Sequence, residues 1–133
     1  MCLFINHLEP KIADKDIICY KRVRKTKIKG IYKSSFQGFE YVIRQLYTNN
    51  LNIKFAHKII KHKLVLRYLY NYIEEDMFHS YVGPLYPATS SSLLSWAILK
   101  CIIPKGAYYF EGYFSDSPSY ASSQIKILEE IKI

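Results

Sequence analysis

The chain has 133 residues, half of them hydrophobic, with 19 Lys and Arg against 11 Asp and Glu and a net charge of +8. This length suits one domain, and this apolar fraction excludes a globally disordered chain, because enough side chains are present to form a core. No apolar run approaches the roughly 20 residues that a membrane-spanning helix needs.

The charge is unevenly placed. Residues 1–67 hold 15 Lys/Arg and 4 Asp/Glu, whereas residues 68–133 hold 4 and 7. A field of this kind favours an anionic partner at the first half. Lys, Ile, Tyr and Asn are abundant together, a bias that AT-rich codons also produce, so part of the lysine excess carries no functional message. The N-terminus has neither a basic segment nor a long apolar core, so no signal peptide is expected and a cytoplasmic location is the default.

Leu8 to Lys11 reads as a break. Asp16 to Val23 (DIICYKRV) reads as a strand, and Arg22 to Lys29 (RVRKTKIK) has five Lys or Arg in eight residues. Gly30 turns the chain, and Ile31-Tyr32-Lys33 returns as a hairpin arm. Phe36 to Tyr47 is ambiguous, with β-branched and aromatic residues favouring a strand at Tyr41 to Ile43. Thr48 to Asn50 reads as a loop. Asn52 caps an expected amphipathic basic helix over 53–64, with Phe55, Ala56, Ile59, Ile60 and Leu64 at helical spacing. From Leu64 to Tyr72 a strand reading competes. Glu74 to Asp76 is an acidic turn, and Met77 to Val82 a short strand or loop. Thr89, Ser90 or Ser91 caps a short helix ending at Trp96.

Ala97 to Ile103 is an apolar, β-branched run suited to a strand buried on both faces. Pro104-Lys105-Gly106 ends it in an expected type I turn. Ala107 to Phe114 is the next strand, Ser115 to Ser119 a loop, and Gln124 to Ile127 an alternating strand. These elements predict an α+β class: one domain over 1–133, with a mostly antiparallel, twisted sheet and one or two helices.

Several residues invite chemistry. Tyr20, Lys21, Arg22, Arg24 and Lys25 combine cations that neutralise phosphate with an aromatic ring that stacks. His79 offers a polar ring, and Tyr108 and Tyr109 offer stacking surfaces. His79 and Ser80 are adjacent, so on a strand they face opposite ways and make no hydrogen-bonded pair. His57 and His62 are five apart, which is not the spacing that puts two metal ligands on one helical face. Cys2, Cys19 and Cys101 form no metal-ligand pair and no disulfide framework, and Cys19 and Cys101, inside apolar runs, read as inert buried thiols. No glycine-rich phosphate loop or dinucleotide fingerprint is present.

CIIPKG-x-YYFEG, with FHSY before it and SYAS-x-QIKIL after it, resembles a group of short proteins from Bacteroides-type gut bacteria and their phages, a likeness that implies no activity. A more distant resemblance is to ADP-ribosyltransferase-like domains. It rests on Tyr20-Lys21-Arg22, on Phe78-His79-Ser80-Tyr81 and on the turn Ile103-Pro104-Lys105-Gly106. It implies a site using NAD, but Gln124 stands in the strand where that family carries its catalytic glutamate. The leading expectation is therefore a non-catalytic, cofactor-free binding protein for an anionic partner: a nucleotide, nucleic acid or an acidic host-protein surface. A phage accessory protein that antagonises host defence fits this expectation. The alternatives are an altered NAD-using transferase and a virion or assembly component.

Overall fold

The computed structural model describes residues 4–5, 10–34, 39–48, 78–84, 95–114 and 116–131. Among these residues there is no helix. Eleven strands join in one sheet: β1 Phe4–Ile5, β2 Lys11–Ile12, β3 Ile17–Lys25, β4 Ile31–Ser34, β5 Glu40–Val42, β6 Leu46–Thr48, β7 Phe78–Tyr81, β8 Trp96–Ile103, β9 Tyr108–Phe114, β10 Ser117–Ser122 and β11 Gln124–Ile131. The α+β expectation is thus corrected to an all-sheet, antiparallel architecture. One expected helix, 53–64 with its cap at Asn52, lies outside the described residues, as do His57, His62, the acidic turn at Glu74 and most of the helix placed before Trp96. Trp96 itself opens β8, because its spacing with Ile98, Lys100 and Ile102 continues the strand alternation.

The sheet runs β1-β9-β10-β7-β3-β8-β11-β6, with β2 on β9 and β4 joining β3 to β5. Chain continuity coils this path. β10 passes through Ser123 directly into β11, so β8–β9 and β10–β11 form one long bent hairpin. At the bend, Tyr108 N–H donates to Ser123 Oγ at 3.0 Å, and Ser123 N–H donates to the Tyr108 carbonyl at 2.8 Å. On the other side β5 turns into β6 at Arg44, a non-glycine residue with φ of 67°, and so carries the β4 edge round to β11.

Coiling gives the sheet an inner face. Cys19, Val23, Ala97, Leu99, Cys101, Ile103, Ile125 and Ile127 fill it, and Tyr32, Tyr41 and Tyr47 close it from β4, β5 and β6. β8 is the best-covered strand, since Ile98 is buried on its other face as well. The turn after β8 is closed by the Ala107 N–H on the Pro104 carbonyl at 3.0 Å. Gly106 therefore occupies its third position with φ of 90°, which is type II geometry and not the type I expected.

Candidate anion-binding face

Successive residues of a strand point to opposite faces, and β3 obeys this over its whole basic stretch. Cys19, Lys21 and Val23 point inward and are buried, while Tyr20, Arg22 and Arg24 point outward. Directly opposed residues in an antiparallel pair share a face. The register therefore places Tyr20 between Lys100 and Tyr81, Arg22 beside Ile98, and Arg24 between Trp96 and Lys33.

Trp96 organises this face. The Arg22 guanidinium carbon lies 4.8 Å from the centre of its ring, and that of Arg24 lies 5.1 Å away. Both are within the distance at which a cation is attracted to an aromatic face. Arg24 is exposed, and Arg22 is half-buried. Burial pushes the Tyr81 phenol above its ordinary pKa, and the nearby Arg22 charge pulls it back. Carboxylates stand across from two neighbouring lysines, Glu129 from Lys100 and Glu40 from Lys33. Across from Arg22 and Arg24 on β8 stand Ile98 and Trp96 instead.

Of the residues singled out from the sequence, Tyr20, Arg22, Arg24 and His79 lie on this outer face, with His79 two residues along β7 from Tyr81. Lys25 is exposed at the end of β3. Lys21 is turned inward, 8% exposed; its Nζ donates to the His79 carbonyl and sits 4.9 Å from the centre of the Tyr41 ring. Tyr109 also points inward, edge-on to Tyr120 at 6.0 Å. Tyr108 is on β9, which β10 and β7 separate from β3. The tyrosine pair is therefore not part of the basic face. Trp96 and Lys100 were missed as site residues. Their signal was the alternation Trp96-Ile98-Lys100-Ile102, obscured by the serine-rich stretch that suggested a helix ending at Trp96.

Ser80 is turned inward and buried. With Lys21 also inside, two of the positions on which the transferase resemblance rests are buried. Among the described residues no group of three His, Cys, Asp or Glu side chains is placed to hold a metal ion, and no helix is long and apolar enough to cross a membrane. No protein-family model, curated protein or solved structure matches the chain.

Proposed function

We propose that the chain is a non-catalytic binding protein for an anionic partner, and that this partner is nucleic acid held at the Trp96 end of the outer face of β3 and β8. The observation that carries the reading is the pair of guanidinium groups on Trp96. Arginine presents a planar fork of donors that matches phosphate geometry. Holding the forks on an aromatic ring before binding reduces the ordering cost at the moment of contact. Tyr20 adds a ring beside them.

The test is fluorescence anisotropy with labelled single- and double-stranded oligonucleotides over a salt series. Binding is expected to weaken linearly in log–log form, because releasing condensed counterions is less favourable at higher salt. Arg24→Ala should weaken binding to all sequences and reduce the salt slope by about 1. Trp96 is the chain's one tryptophan, so its emission should change on binding. A flat salt response, or an unchanged Trp96 signal at saturation, removes the reading.

A further inference from the structure

Beyond the outer face, the β3–β4 hairpin carries a second feature. β3 pairs with β8 only as far as Arg24 and Trp96, followed by one bond from Lys25 N–H to the Ser95 carbonyl at 2.9 Å. After Lys25 the ladder ends, and residues 26–30 form a short loop that turns the chain back into β4. Lys25, Lys27 and Lys29 are exposed here, and Ile28 sits between the last two with 64% of its surface in water. An exposed isoleucine flanked by lysines at a loop tip does nothing for the core of this chain.

The tip is also stiff. Ile31 N–H donates to the Ile28 carbonyl at 3.2 Å, and Gly30 takes a φ of 87°, which closes a tight turn. Thr26 Oγ1 lies 2.7 Å from the Ile31 carbonyl and 3.0 Å from that of Ile28, so its hydroxyl is shared between them. It accepts the Ile28 N–H at 3.3 Å. Three contacts to one threonine oxygen hold Ile28 outward before any partner arrives.

The geometry points to duplex DNA as the partner, with the β3–β4 tip entering a groove and Ile28 wedging into a base step. This inference rests on the nucleic-acid reading above and narrows it. A loop tip that carries exposed lysines is drawn to the phosphates that line a DNA groove. Apolar wedges inserted between base pairs unstack them and kink the duplex, and the bend lets more cationic surface reach the backbone. Lys27 and Lys29 take phosphates on either side of the wedge. Arg22 and Arg24, behind the tip on the outer face, receive the backbone that the bend brings round. One isoleucine buries too little apolar surface to hold the chain on a lipid bilayer, and a single strand has no base-pair step to kink.

The experiment uses the full chain and a short duplex labelled at both ends for energy transfer. The wild type should shorten the end-to-end distance on binding. Ile28→Ala should bind with less than about a tenfold change in affinity, because the wedge contact and the unstacking cost disappear together, and it should lose the shortening. Thr26→Val, which frees the tip, should reduce the shortening in part. Lys27→Ala with Lys29→Ala should weaken binding and its salt slope. Duplex binding with no bend, or a bend that Ile28→Ala leaves intact, overturns the wedge while the wider reading stands. Tighter binding to single strands than to duplex overturns it in the same way. Absence of binding to any nucleic acid overturns both, as does binding only to vesicles of anionic lipid that Ile28→Ala abolishes.

Discussion

Cys19 on β3 stands directly opposite Cys101 on β8, and both thiols are free and fully buried. The two are unequal. Cys19 is held below its ordinary pKa chiefly by the facing Cys101 thiol, against its own burial, with Ser80 and the Lys21 charge helping. Cys101 is pushed up by the facing Cys19 and by burial. A lowered pKa ordinarily marks a reactive thiol, but reactivity also needs access. In a Cys2→Ser background, both thiols should resist alkylation in native buffer and react at a rate that follows chain opening, rising with urea. Mass analysis of a time course checks this. Labelling of Cys19 within seconds under native conditions would show that the inner face is open.

Lys21 separates packing from binding. Its ammonium is held inside by the His79 carbonyl and the Tyr41 ring. A hydrogen bond from a charged group is worth about 1.5–3 kcal/mol, offset in part by the cost of keeping that charge from water. Lys21→Ala should therefore lower stability by about 1–3 kcal/mol in urea unfolding. Lys21→Met, which refills the space, should recover part of the loss. Both variants should keep the salt-dependent binding of the wild type. Lost binding with unchanged stability would place Lys21 in the contact face and revive the dinucleotide reading.

Tyr32 donates its hydroxyl to Glu130 Oε1 at 2.9 Å, tying β4 to β11 across the closed side of the sheet. Its phenol is pushed up to about 12, by burial first and then by the hydrogen bond and charge of Glu130. An unfolded tyrosine loses its proton near pH 10. The raised value favours the neutral form in the fold, so this contribution is complete below about pH 10 and is lost as pH rises towards 12. Tyr32→Phe should cost about 1 kcal/mol at neutral pH. The gap between wild type and variant should close between about pH 10 and 12, read from thermal unfolding at each pH. Tyr81 and Tyr120 shift in the same direction, so the gap and not the absolute slope is the measure.

Strands with a strong local pattern were legible in the chain. β3, β8 and β9 stand within a residue or two of where their apolar or aromatic runs put them, and Gly30 turns a hairpin as expected. Other strands carried no such mark. β1, β2 and β6 are two or three residues long, too short for any period to show, whereas β5 overlaps the strand expected at Tyr41 to Ile43. β10, Ser117–Ser122, has the serine and proline of a loop at its start and is extended because β9 and β7 pair with it on both sides.

The candidate site divides in the same way. Alternation along Tyr20 to Arg24 already dictated that Lys21 and Arg22 would take opposite faces, since a strand repeats every two residues. Which of those faces would be sealed was not written there. That followed from the coil of the sheet, in which β10 runs on into β11 and β5 into β6. The meeting of Arg22 and Arg24 with Trp96 depends on hydrogen bonds between segments some seventy residues apart, and no local rule of spacing encodes a register of that range.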